Sequence, residues 1–297
     1  MFDLRYHVAS LAAVFLALVV GILVGVGLSG RGFVDDAERK NLTGQISDLR
    51  DERDLVRSEL EEALRRGDAL DDFAETTYPA LVRGRLRDAQ IAMVFVGSVD
   101  QTVARAIADG IRDAGGEITR MRALRVPIDG EAFDDVLRSR PSTRALAGPD
   151  RRDDLGRALG RELVTGGPSP LWEQLEGLLV EERAGRSRAA ADGVVIARPA
   201  PPQQGETQDF LSGLYDGLVR SGAPAVGADP SARVIPAIPA FRRAGLSTVD
   251  SVDTATGKLA LVLLLAGGAA GSYGVEDDAA DGVLPSVPPS PPSGPSG

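Results

Sequence analysis

IAMVFVGSVDQTVARAIADGIRDAGGEITRMRALRVP, residues 91–127, is the stretch whose reading decides the fold. IAMVFVG (91–97) is a short, continuous apolar run rich in β-formers and closed by glycine, the pattern of a strand buried on both faces. In the next segment Val103, Ile107 and Ile111 recur every four residues, and Gly115-Gly116 supplies a stop signal, which predicts a helix. Residues 117–127 return to a strand pattern. Strand, helix, strand in that order implies a right-handed crossover and a parallel sheet. At the turn, Ser98 is expected to cap the helix, with Gln101 completing a capping box. GSVD (97–100) has neither of the glycine patterns that cradle phosphates.

Downstream, residues 150–164 read as a helix. Another opens at Ser169-Pro170, with Ser169 as N-cap and Pro170 in the first turn. GVVIARP (193–199) reads as a buried strand and residues 207–221 as a helix. APAVGA and ARVIPAIPA read as two further extended pieces. Residues 259–266, LALVLLLA, are apolar throughout but too short to span a bilayer, which predicts a buried core helix.

Upstream, no charged residue lies between His7 and Arg31. About 21 apolar or small residues reach about 31 Å as a helix, the thickness of a bilayer's hydrocarbon core. A cleavable signal usually has a shorter apolar region, about 7–15 residues, so the length favours a retained anchor, although Gly27-Leu28-Ser29 resembles a cleavage site. Ala9, Ala13, Ala17, Gly21 and Gly25 recur every four residues, a ladder that lets two membrane helices approach closely. In a segment this rich in Ala and Gly, chance is the competing explanation. Basic residues are nearly balanced across the span. A short tail before a large domain predicts a cytoplasmic N-terminus, a single pass through the plasma membrane and an extracytoplasmic bulk.

Residues 36–77 are rich in Asp, Glu, Arg and Leu and contain no proline. Apolar residues at Leu42, Ile46, Leu49, Val56, Leu60, Ala63 and Leu70 alternate spacings of four and three, the heptad rhythm of a coiled coil. With Ile46 at an a position, Arg53 and Gly67 also fall at a and weaken the seam. The competing reading is one long helix packed on the following domain. Gly30 and Gly32 are candidates for a hinge between the span and this stalk.

Composition excludes several chemistries. The 33 basic and 43 acidic residues give a net charge of −10, which argues against a nucleic-acid surface. No cysteine is present, so no disulfide or thiolate metal site forms. His7 is the only histidine and lies at the membrane edge, so no Ser–His–Asp arrangement exists beyond the span. Asp250 and Asp253 suit turn and cap positions at least as well as acid chemistry. Outside the initiator, soft copper ligands reduce to Met93, Met121 and His7, with Met93 expected in the core. No catalytic, cofactor-binding or metal residue is assigned, and an enzyme is not expected.

The expected architecture is α/β: a tail and single N-terminal transmembrane helix (1–32), a coiled-coil stalk (33–80), and a Rossmann-like globular domain with a mainly parallel sheet (81–283). A Pro/Ser/Gly-rich tail (284–297) too poor in apolar residues to build a core, and expected to be disordered, ends the sequence. The site residues of this reading are Ala13, Ala17, Gly21 and Gly25 for helix packing in the membrane, and Ile46, Leu49, Arg53, Val56 and Leu60 for the coiled-coil seam.

The opening MFDLRYHVASLAAVFLALVVGILVGVGLSG, the charged heptads after it, and GLSTVDSVDTATGKLALVLLLAGGAAGSYG (245–274) resemble the actinobacterial MctB family, the mycobacterial copper transport protein B type, also described as the septation protein SteB. The resemblance implies two roles. One is copper efflux or homeostasis, with the protein as an outer-membrane channel and copper as its cargo. The other is regulation of cell separation, with a SteA-type membrane partner and a peptidoglycan hydrolase. A membrane barrel needs strands of about ten alternating residues, whereas these strands are continuously apolar and interleaved with helices. The anchor, stalk and head suit an interaction protein, as a homodimer or a hetero-complex.

Overall fold

The computed structural model describes residues 4–29, 33–185 and 188–286. The chain separates into two compact units, Met1–Ala69 and Leu70–Gly297. The first unit holds helix α1 (Leu4–Ser29) and most of helix α2 (Phe33–Val82), which continues into the second. The hinge expected at Gly30 and Gly32 lies outside the described residues, as does most of the Pro-rich tail.

The second unit begins with the last turns of α2 and continues through β1 (Gln90–Val96), α3 (Gln101–Asp113), β2 (Glu117–Leu124), α4 (Gly130–Arg138), α5 (Arg152–Thr165), α6 (Pro170–Leu179), β3 (Val180–Ala184) and β4 (Gly193–Ala197). Then come α7 (Gly205–Val219), β5 (Ala225–Ala228), α8 (Ile238–Arg243), β6 (Ser247–Val249), α9 (Ala255–Leu265) and β7 (Ser272–Tyr273). The strands form one sheet in the order β3-β2-β1-β4-β5-β6-β7. All neighbours are parallel except β2 and β3. The fold is therefore the mixed α/β architecture with a mostly parallel sheet that residues 91–127 predict.

The continuous apolar runs have a direct cause. In β1, Ile91, Met93 and Phe95 enter one core cluster, while Ala92, Val94 and Val96 enter the other. A strand covered on both faces by helices has no polar side, so its sequence does not alternate. The first cluster is capped by α3, α9 and the end of α2, through Tyr78 and Val82. The second is covered by α4, α5, α6, α7 and α8. Helix α9 buries Leu259 through Leu265 on all sides, the core-helix outcome expected for that run. Met93 is likewise in the core.

Helices α5 and α7 meet backbone to backbone. A Cβ added at Gly156 would lie 2.0 Å from Phe210 O, and one at Gly213 would lie 2.0 Å from Asp153 O. Gly160 and Gly217 repeat the approach one turn on. Arg157 ties the pair from the outside, with Nε donating to Asp216 at 2.6 Å. Gly156→Ala should therefore lower the stability of the second unit by about 1–3 kcal/mol. Alanine's helix preference of about 1 kcal/mol does not offset a clash with rigid backbone. The shift in denaturant midpoint at constant slope measures it.

Three expectations are corrected. Helix α3 is capped by Asp100, whose carboxylate accepts from Thr102 N and Val103 N, and not by Ser98 with Gln101. Ser169 occupies the N-cap position of α6 but its side chain makes no cap bond. Glu162 of α5 reaches across and accepts from Leu171 N and Trp172 N instead. ARVIPAIPA is not extended: it runs through turns into α8. The short strands β3, β6 and β7 have no separate signal in the sequence. β6 and β7 are only 3 and 2 residues long, too short to show a period.

Candidate functional site

In the first unit, Tyr6–Gly27 forms a helix of mean hydropathy 2.7 with none of it buried, long and apolar enough to cross a membrane. Ala13, Ala17, Gly21 and Gly25 lie at four-residue spacing and therefore on one helical face. A Cβ at Gly21 or Gly25 would meet nothing within 4 Å, so this face is open in the single chain.

Helix α2 is polar overall yet carries an exposed apolar row. Leu42, Ile46, Leu49, Val56 and Leu60 are 48–64% exposed. Arg53, in the same row, directs Nε and Nη2 to Asp54 Oδ1 at 3.0 and 2.7 Å. Arg57–Glu61 and Arg66–Glu62 pairs occupy flanking positions. Leu55 and Leu64, outside the predicted row, are as exposed as the residues within it. Heptad counting alone leaves them out because they fall off a and d.

In the second unit, the strand order reverses between β1 and β4, the place where doubly wound folds bind ligands. Here that crevice is filled by the chain itself. A Cβ at Gly97 (φ +99) would lie 2.8 Å from Ala200 Cβ, and Ala200 N donates to Val96 O at 3.1 Å. Arg233 seals the crossing by donating through Nη2 to Arg198 O and Pro199 O at 3.1 and 3.0 Å.

The acids at this edge hold loops. Asp250 accepts from Val275 N and Glu276 N, and Asp253 from Ser231 N and Oγ. Asp229, 2% exposed, accepts from Ala237 N, while its Oδ1 has no hydrogen-bond partner and lies 3.8 Å from Arg233 Nε. Burial pushes the Asp229 carboxyl above its ordinary value, against the pull of the Ala237 N–H and the Arg233 charge.

Beside the end of β4 a cleft of about 590 Å³ opens, lined by Arg198, Gln203, Gln208, Ser212, Tyr215 and Arg243 among others. Arg198 Nε and the Tyr215 hydroxyl are buried without hydrogen-bond partners. Burial raises the Tyr215 phenol, and the Arg198 charge opposes the shift. An arginine directly after a strand was the only sequence signal for this cleft.

Among the described residues no group of three or more His, Cys, Asp or Glu is placed to hold a metal ion. The two thioethers, Met93 and Met121, are register partners on β1 and β2, with Met93 buried and Met121 packed against the same cluster.

An apolar helix long enough to span a bilayer, a long charged helix and a doubly wound α/β unit define a membrane-associated α/β protein. The sequence profile of the MctB family, described as "Copper transport outer membrane protein, MctB", matches residues 1–285, and the chain belongs to that family. It is 26% identical over 309 residues to proteins named "Copper transporter MctB" from Mycobacterium tuberculosis and Mycobacterium bovis, covering 92% of this chain and 96% of theirs. The Mycobacterium leprae protein of that name is 26% identical over 321 residues, covering 96% of this chain and all of its own.

Proposed function

We propose that this protein is a non-enzymatic interaction protein of the cell envelope, anchored by α1 in the plasma membrane with its N-terminus in the cytoplasm and its bulk outside. In this reading α2 pairs with a second copy, or with a SteA-type membrane partner, through Ile46, Leu49, Arg53, Val56 and Leu60. The small-residue face at Ala13, Ala17, Gly21 and Gly25 continues the pairing within the bilayer. The observation that carries the proposal is the exposed apolar row on α2. Aliphatic side chains at heptad spacing on an otherwise charged helix are stabilised by burial against a partner helix. The resemblance supplies the role: control of a peptidoglycan hydrolase at the septum.

Copper transport is the second reading, favoured by the family's description and the names of the mycobacterial relatives. The sequence holds no cysteine and one histidine, few of the donors that copper prefers. The central strands β1 and β4 are covered on both faces by helices, unlike the lipid-facing strands of a barrel. Any part in copper transport is therefore proposed to run through an assembly with other chains.

The test is a deletion strain scored side by side for copper sensitivity and for chained, unseparated cells. Chaining without copper sensitivity supports the first reading. Copper sensitivity alone overturns it in favour of the second.

A further inference from the structure

A second cavity, of about 210 Å³, lies between β2, β3 and the start of α6, on the sheet's antiparallel edge. Its walls carry Arg120, Arg122, Arg183 and Arg188, with Trp172 between them. In a chain of net charge −10, four guanidinium groups around one small cavity are a local reversal of sign.

Among the described residues, two of these arginines have no ion-pair partner. Arg120, 4% exposed, donates to Ala189 O, while its Nε has no hydrogen-bond partner. Arg122 stacks its guanidinium over the Trp172 ring, 4.4 Å from the centroid, and its buried Nη1 has no partner either. Among the described residues neither forms an ion pair. The lining carboxylates are engaged elsewhere, Glu176 with Arg183 and Glu173 with Arg188 at 3.7 Å.

A buried charge without a partner is destabilising, and an N–H donor without an acceptor adds to that cost. Burial, with the Arg120 and Arg183 charges, lowers Arg122 to about 10, against the opposing charges of Glu176 and Glu162. The electrostatic strain is the kind that a bound anion relieves. Guanidinium groups match the oxygens of a tetrahedral or planar oxyanion through paired N–H donors.

We infer that the cavity bounded by Arg120, Arg122, Trp172 and Arg183 is a binding site for a phosphate group. The volume is below that of pockets enclosing a whole drug-sized ligand, so it takes a free oxyanion or the phosphate end of a larger molecule. The inference is independent of the pairing proposed for α2.

The test titrates the full-length protein in non-ionic detergent with inorganic phosphate and, separately, with glycerol phosphate, at constant ionic strength. Calorimetry and the melting temperature are the readouts. Wild type should bind saturably and melt at a higher temperature when loaded. Arg122→Gln should weaken binding about tenfold or more, the loss of about one charge-assisted hydrogen bond. Arg183→Gln, at the 53%-exposed rim, should weaken it without disturbing the fold. Arg105→Gln removes the same charge from an exposed site on α3 and should leave binding unchanged. Tighter binding of glycerol phosphate assigns the site to a phosphate monoester, and tighter inorganic phosphate assigns it to the free ion. No saturable binding of either probe by wild type overturns the inference. So does wild-type affinity in both Arg122→Gln and Arg183→Gln, or an equal loss in Arg105→Gln.

Discussion

Replacing Arg152 by Met should destabilise the second unit by about 3–5 kcal/mol, the range for breaking a buried ion pair from one side. At 1% side-chain exposure, Arg152 donates through Nη1 to Asp134 Oδ1 and through Nε to Glu206 Oε2, both at 2.7 Å, and through Nη2 to Gly130 O at 2.8 Å. It thereby joins α4, the start of α5 and the start of α7. Removing it leaves Asp134, whose side chain is 8% exposed, with only Gly148 N and the more distant Arg138. For a unit of this size the melting temperature should fall by about 6–20 °C. Adding Asp134→Leu should restore part of the loss, because the orphaned charge is then gone.

The same cluster sets an acid limit. The hydrogen bond from Arg152 is the main cause holding the Asp134 carboxyl below its ordinary value, with burial opposing it and the Gly148 N–H and the charges of Arg152 and Arg138 reinforcing it. A carboxyl depressed in the folded state contributes stability above its unfolded value of about 3.9 and loses it as pH falls through the folded value. Wild type should therefore hold its Asp134 contribution down to about pH 4 and lose it below. In Arg152→Met the main cause of the depression is gone and burial opposes ionisation, so this acid-dependent loss should shrink or disappear. Melting temperatures measured between about pH 2 and 6 should fall more steeply with acid for wild type than for the variant.

Replacing Leu49, Val56 and Leu60 together by Gln should abolish self-association through α2. Each of the three is 56–64% exposed in the single chain, so the substitution removes no intramolecular packing and leaves the second unit intact. In a dimer the same side chains would each bury apolar area contributing about 1.5–3 kcal/mol. Sedimentation of a fragment covering residues 33–286 should give a dimer for wild type and a monomer for the variant, with unchanged helical circular dichroism at high concentration. A variant that remains dimeric means the seam lies elsewhere, with Leu55 and Leu64 the next residues to replace.

How much of this was legible differs by residue. IAMVFVG, GVVIARP and LALVLLLA could be read directly, because a strand or helix buried on all sides must be apolar along its whole length. The apolar span and the heptads were legible for the same reason: both are local periodicities. The caps were half legible. Asp100 and Ser98 are both good cap residues two positions apart, and only the backbone path decides which one faces the free N–H groups. Ser169 had the right chemistry for its position, but Glu162 carries a charge and comes from another helix. β6 and β7 exist because they are hydrogen-bonded to an edge already built, as Thr248 with Ser272 on their buried side chains illustrates.

The sequence by itself determined the class of protein, an apolar span, a heptad helix and a doubly wound unit, since hydrophobic pattern is set by each residue's immediate neighbours along the chain. Only the tertiary structure decided where the charges act. Arg152 meets Asp134 and Glu206 across 18 and 54 residues of chain. Arg120 and Arg122 are one strand's alternating residues until α6 and β3 close over them and, among the described residues, leave two guanidinium groups without an ion pair. Electrostatics depends on distance and burial in space, and neither is a property of sequence order.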